Sequence, residues 1–200
     1  MKARSTREQI VEAADDLFYR QGYEATSFAD IANAVSISRG NFYHHFKTKD
    51  EILDAVIGKR LADRQAMLDR WEADEATPQA RIRSFIRILI ANKAKIMRYG
   101  CPVGTLCAEL SKLDHPSQSD ADSLFTLFRT WLRRQFSQLD GNADADALAM
   151  HLLARSQGIA ALANAIGNDA FVRREVNQLE QWLEIETTKT THPGRRRSEP

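Results

Sequence analysis

Apolar residues recur along most of the chain at three- and four-residue spacing, and the strict alternation of a half-buried strand is nearly absent, so the pattern predicts an all-α protein. Ile10, Ala14, Leu17 and Phe18 mark the inner face of a first helix ending near Gly22, a residue suited to a C-cap. Ser27, with Asp30 three residues on, reads as a capping-box variant opening a short second helix with Ile31, Ala32 and Val35 on its apolar side. Ser38 caps a third helix over Arg39, Gly40, Asn41, Phe42, Tyr43, His44, His45 and Phe46, and Lys47-Thr48 breaks it. From Lys49 a longer helix carries Ile52, Leu53, Val56, Ile57 and Leu61 toward the Trp71–Asp74 region. Thr77-Pro78 opens the next, with Ile82, Phe85, Ile86 and Leu89, and Gly100-Cys101-Pro102 interrupts it before a short helix near 103–113. After His115-Pro116, helices are expected near 118–139, 143–166 and 169–184, followed by a polar tail from Thr187.

Three short helices joined by tight turns, the last polar on one side, match a helix-turn-helix whose final helix enters the major groove. Ser27 and Ser38 place a hydroxyl and free backbone N–H groups at helix N-termini, where donors and the helix dipole can hold a phosphate. Gly40 inside the third helix costs about 1 kcal/mol against alanine, and close approach to DNA supplies a reason to keep it. Arg39 and Asn41 can pair with guanine and adenine edges, while Tyr43, His44, Lys47 and Lys49 can reach phosphates. Composition adds a qualification. The 200 residues are 43% hydrophobic and 28% charged with a net charge of +1, which is ordinary for a folded chain and announces no polyanionic partner. The basic residues are bunched, however: Lys2, Arg4 and Arg7 precede the first acid, and Arg39, Lys47 and Lys49 share a stretch without one. It is the local field that a phosphate backbone meets. A third cluster, Arg195 to Arg197, is read as a solvated tail.

Residues 7–53 resemble the DNA-binding domain of the TetR family of regulators. The likeness runs through Gly22-Tyr23, Thr26-Ser27, Asp30-Ile31-Ala32, the whole run from Ser38 to Phe46, Lys49 and Leu53. It implies an all-helical, two-domain subunit: a helix-turn-helix DNA-binding domain over 1–48 and a helical ligand-binding and dimerisation domain over 49–186, with 187–200 a disordered tail. It further implies a homodimer formed through the last two long helices, most often a repressor, that leaves a palindromic operator when a small molecule binds. Thr26 joins the candidate DNA-binding residues on this ground. The family usually carries glycine where Ser36 stands, so Ser36 is expected in a left-handed conformation at a cost of order 1 kcal/mol. Gly100-Cys101-Pro102-Val103-Gly104-Thr105-Leu106, followed by Ala108-Glu109-Leu110, is similar to a segment in one branch of the family linked to reactive or aromatic small molecules and drug efflux. By that analogy the effector is apolar or reactive, and its cavity lies among the helices carrying Phe85, Leu89, Met97, Cys101, Leu106, Phe125, Phe128, Trp131 and His151. Phe85, Phe128 and Trp131 are residues more often found as plain core than as cavity lining.

Other residues admit two readings. Cys101 at a helix N-terminus is either a reactive thiol or a small buried hydrophobe, and Cys107 reads as packing. Gly158, Ala161, Leu162 and Ala165 on the penultimate helix, with Val172, Val176 and Leu179 on the last, supply either an intrachain core or the apolar face of a two-fold four-helix interface. The resemblance favours the dimer.

Cys101 with His115 or His151 is the one nucleophile and base set, and it lacks any local signature, so no enzyme is expected. His44 and His45 point about 100° apart on a helix and cannot chelate one metal. The Asp140–Asp146 stretch lacks the glycine and glutamate of a calcium loop and reads as a helix-capping loop. No metal or cofactor is expected. Acids interrupt the N-terminal region, and no apolar run approaches the roughly 18 residues that span a bilayer, so a cytoplasmic protein without a membrane partner is expected. The rival function is a helical protein-interaction module without sequence-specific DNA binding, in which the basic, glycine-containing third helix has no evident purpose.

Overall fold

In the computed structural model, which describes residues 4–139 and 144–189, every regular element among those residues is helical. The order is α1 (Thr6–Gln21), α2 (Phe28–Ala34), α3 (Arg39–His45), α4 (Lys49–Asp74), α5 (Pro78–Ala91), α6 (Lys93–Tyr99), α7 (Pro102–Lys112), α8 (Gln118–Ser137), α9 (Ala145–Ile166) and α10 (Asp169–Lys189). The caps expected at Gly22, Ser27, Ser38 and Thr77 are all in place, and Ser27 and Asp30 form a reciprocal capping box. Ser5 with Glu8 makes a second box, which starts α1. Ser36 does adopt the left-handed conformation, at φ 55°.

Two elements depart from expectation. The helix opened by Thr77-Pro78 stops at Asn92, where the amide side chain donates to the carbonyl of Ile88 and so competes with the helical ladder. At the other end α10 continues to Lys189, so 187–189 are helical, while 190–200, with the Arg195 to Arg197 cluster, lie outside the described residues. The loop read as helix-capping falls largely on 140–143, also outside them; Asp144 itself caps α9, accepting from Ala147 N–H at 2.8 Å.

The helices fall into two units: the described residues up to Met67 together with Tyr99–Leu127, and Leu68–Arg98 together with the described residues from Phe128 on. The segment 99–127 thus groups with α1–α3 and most of α4. In the first unit α1 packs on α2 and α7, and α2 packs on α3. Its core is built from Ile10, Ala14 and Phe18 of α1, Ile31 of α2, Phe42 of α3, Phe46, and Ile52, Leu53 and Val56 of α4, all buried. Burying a side chain of this size contributes about 1.5–3 kcal/mol.

In the second unit α5 presents Ile82, Phe85, Ile86 and Leu89 to α9 and α10. Val172, Val176 and Leu179 of α10 answer them and are fully buried inside the single chain. They therefore offer no surface to a partner, and of the two readings for them the intrachain core holds. Gly158, Ala161, Leu162 and Ala165 lie instead on the exposed side of α9. A polar knot completes this unit: one oxygen of Glu72 accepts from the Trp131 indole at 2.6 Å, from Gln135 at 3.2 Å and from Arg134. That satisfies Gln135, which is wholly buried and would otherwise be costly.

Candidate nucleic-acid interface

The third helix is short, and its inner residues decide how it is held. Phe42 and, just past the helix, Phe46 are buried at 1% and 2% exposure, and Phe28 of α2 packs edge-on against Phe42 with ring centroids 5.2 Å apart. This anchorage turns Gly40, Asn41, Tyr43 and His44 outward, and all four are exposed together with Ser38 and Lys47. The Ser38 hydroxyl caps the helix by accepting from Asn41 N–H at 3.3 Å. Tyr43 stacks on Phe28 at 5.6 Å, which fixes its ring while leaving the phenol in solvent. A Cβ added at Gly40 would meet nothing within 4 Å, and its φ is not among the positive ones, so neither packing nor backbone conformation demands glycine there. Arg39 is the first residue of α3; its side chain lies outside what is described.

Three of the residues expected at this surface have other employment. Thr26 is 1% exposed: its hydroxyl donates to the Gly22 carbonyl at 2.6 Å and accepts from the Gln21 amide at 3.2 Å, closing the turn between α1 and α2 rather than facing a phosphate. Lys49 reaches back to the carbonyls of Tyr23 and Glu24 at 3.1 and 3.3 Å, with its ammonium 4.2 Å from the centroid of the Tyr23 ring. Ser27 is exposed, but its hydroxyl already serves Asp30, whose carboxylate is held below its ordinary range by the Ser27 hydrogen bonds. Lys47, by contrast, donates to the single carbonyl of Tyr43 at the C-terminal end of α3, an exposed bond that is easily exchanged.

Tyr23 is the residue that sequence reading did not single out as a hub. Its phenol donates to Asp50, and the Nε2 atom of His115 lies 3.2 Å from the phenol oxygen. Burial, then the Asp50 hydrogen bond, raise its pKa. The partners lie up to 92 residues away in sequence, beyond the reach of any spacing rule. His115 is thereby engaged structurally, its Nδ1 accepting from Ser117 N–H at 3.1 Å.

The candidate effector residues divide between the units. In the first, Leu106 is buried and Cys101 and Phe125 are half-buried. Cys101 is the N-cap of α7, its sulfur accepting from Gly104 N–H at 3.5 Å. Cys107 packs as expected, and burial pushes its thiol up to about 12. In the second, Phe85 and Phe128 meet edge-on at 5.5 Å, Leu89 and Trp131 are buried, and Met97 is half-buried. His151 differs from the others in standing exposed on α9, its ring centroid 4.8 Å from that of Trp182 and tilted 36° to it.

Comparison with known proteins decides the family. Residues 10–56 match the family of bacterial regulatory proteins called the tetR family. The chain is also 32% identical over 140 residues to an uncharacterised HTH-type transcriptional regulator from the lacX 3′ region of Lactococcus lactis, covering 69% of this chain and 71% of that protein. The chain is a member of the TetR family. This TetR-family regulator also matches the HTH-type transcriptional repressor DhaR of Mycobacterium sp. (strain GP1), 24% identical over 162 residues and covering 76% of this chain and 79% of that one. Its fold is shared with a TetR transcriptional regulator from Legionella pneumophila at a TM-score of 0.80 and 24% identity, over 91% of this chain and 99% of that structure. TetR-family proteins are DNA-binding transcriptional regulators rather than enzymes; repression relieved by a small ligand is their general behaviour, and they act as dimers. Among the described residues no helix of this member is long and apolar enough to cross a membrane.

Proposed function

We propose that this regulator binds a palindromic operator as a homodimer, lays the exposed face of α3 in the major groove, and is released by an apolar or reactive small molecule. The observation that carries the reading is the α3 surface: Gly40, Asn41, Tyr43, His44 and Lys47 are exposed on a helix pinned from beneath by Phe42 and Phe46, with open space over Gly40. Asn41 suits an adenine edge, and Tyr43, His44 and Lys47 suit phosphates. Arg39 is assigned to a guanine edge by residue type and by its place at the start of the helix. Thr26 and Lys49 are assigned to holding the helix-turn-helix in shape, given the bonds they make within it.

One short helix reads few bases, so two copies are needed. The exposed side of α9 is the surface that a second copy would cover. It carries Gly158, Ala161 and Ala165, small enough for close approach, beside Met150, Leu162 and Ile166 at 44%, 50% and 60% exposure. Residues 1–48 serve DNA and 49–186 serve effector and partner; in the second unit the edge-on pair Phe85 and Phe128 is the contact an aromatic effector would part. The protein would work in the cytoplasm, beside its operator.

The test begins with selection of duplexes from a random pool by the full chain, followed by fluorescence anisotropy of the winner against its scrambled version. Preference by about a thousandfold or more, at near-physiological salt, is the expected result for a specific regulator. Equal, weak binding to both duplexes across a salt series would refute the reading and favour the interaction module.

A further inference from the structure

The turn between α1 and α2 is gripped by a side chain from far along the chain. One carboxylate oxygen of Glu109, on α7, accepts from the backbone N–H of Tyr23 at 2.9 Å, and the other accepts from Glu24 N–H at 2.9 Å. The carboxylate fits because Gly22 has no side chain: at φ 96°, a Cβ on that residue would stand 2.9 Å from the Glu109 Oε1 atom. The other polar atoms of Tyr23 are held as well. Lys49 donates to its carbonyl, and its phenol sits between Asp50 and His115. Both ends of the Glu109 segment are tied to the same unit. Tyr19 donates to the Gly100 carbonyl at 2.9 Å, Arg60 donates to the Pro102 carbonyl at 2.7 Å, and Ser117 donates to Asp54 at 2.8 Å.

We propose that Glu109 is a positioning residue for operator binding: by clamping two adjacent amides of the α1–α2 turn it sets where α2 and α3 stand. The inference rests on the DNA-binding reading above. Bonds from backbone N–H groups to a carboxylate are roughly twice as strong as neutral ones, and two of them on consecutive residues fix direction as well as distance. Glu109 lies outside the helix-turn-helix, so its effect on DNA passes through the turn. That gives the proposal a sign. Removing a negative charge from a DNA-binding protein should by itself strengthen its binding to any duplex. Loss of a positioning group should weaken binding to the operator alone.

The experiment uses the selected duplex and its scrambled version with wild type, Glu109→Gln and Glu109→Asp. Circular dichroism checks helical content, and amide proton shifts of Tyr23 and Glu24 check the clamp. The expected result for Glu109→Gln is a loss of operator affinity on the order of tenfold, from weakening two charge-assisted bonds, with scrambled binding unchanged or slightly tighter and both amide signals moved. Operator binding at or above the wild-type level, with the amides moved, would overturn it. Should Glu109→Gln fail to fold, Glu109→Asp keeps the charge and shortens the reach: a selective operator loss supports the proposal, and wild-type operator binding with moved amides refutes it. If wild type itself selects no duplex, the DNA-binding reading falls first and takes this inference with it.

Discussion

Replacing Gly40 by alanine should make the protein more stable and a poorer operator binder. Gly40 sits in the first turn of α3, where an added Cβ meets nothing within 4 Å, so the substitution introduces no clash in the free protein. Alanine is preferred to glycine in a helix by up to about 1 kcal/mol. For a chain of this size that corresponds to a rise in melting temperature of about 2–4 °C. In the complex the same methyl group would occupy the space across which the backbone of α3 approaches DNA. A loss of operator affinity of tenfold or more, about 1.4 kcal/mol, is expected. Gly58→Ala is the control, since Gly58 is also exposed on a helix with nothing within 4 Å but lies on α4. It should stabilise similarly and leave DNA binding untouched. Scanning calorimetry and anisotropy on the three proteins give both quantities. If Gly40→Ala is stabilised yet binds the operator like wild type, the argument that DNA comes close at this residue is refuted.

Asn41→Ala should cost about 1–3 kcal/mol at one operator position and relax preference for adenine there, which repeated duplex selection would detect. Lys47→Ala should weaken binding to all duplexes and lower the slope of log affinity against log salt by about 1, whereas Lys49→Met should leave that slope alone and lower the melting temperature, having lost two carbonyl partners worth about 1 kcal/mol each. Leu162→Glu places a charge on the exposed apolar side of α9 and should shift sedimentation velocity profiles to monomer; an unchanged dimer would show that two copies meet elsewhere. At pH 8 iodoacetamide should alkylate Cys101 well before Cys107, as read by peptide mass spectrometry. Burial pushes the Cys107 thiol up to about 12, so its thiolate is scarce until the pH rises toward that value.

What the sequence made legible was local. A serine or threonine at a helix start and a glycine at a helix end act within four residues, and so α1, α2, α3 and α5 begin or end where those residues stand. The left-handed Ser36 was legible only through the family resemblance, since glycine usually stands at that position there. The break at Asn92 was less visible, since apolar spacing runs on across it and only the amide side chain, bonded to Ile88, marks the stop. Facing was the harder question. Apolar residues of α9 and α10 carry similar periodicity, and nothing in it tells that Val172, Val176 and Leu179 meet α5 while Leu162 and Ile166 meet solvent. Residue type left the intrachain bonds of Thr26 and Lys49 unseen, because a hydroxyl and an ammonium serve a carbonyl as readily as a phosphate. The Glu109 clamp could not be seen at all from spacing.

That hidden contact bears on how so small a reading surface can be selective. Discrimination between base pairs requires side chains held to within a fraction of an ångström, and α3 has only seven residues with which to hold itself. Its inner rings, Phe42 on Phe28, fix α3 to α2, and α2 packs on α1 across the turn that precedes the pair. The turn is held in part by its own Thr26, but Gly22, which lets the chain reverse, brings no side chain to stiffen it. Further bonds come from outside the turn. Lys49 and Asp50 from α4, Glu109 from α7 and His115 just beyond it converge on Tyr23 and its neighbour, so on the positioning proposal residues both near to α3 in sequence and about 65–70 residues beyond it would together set its angle.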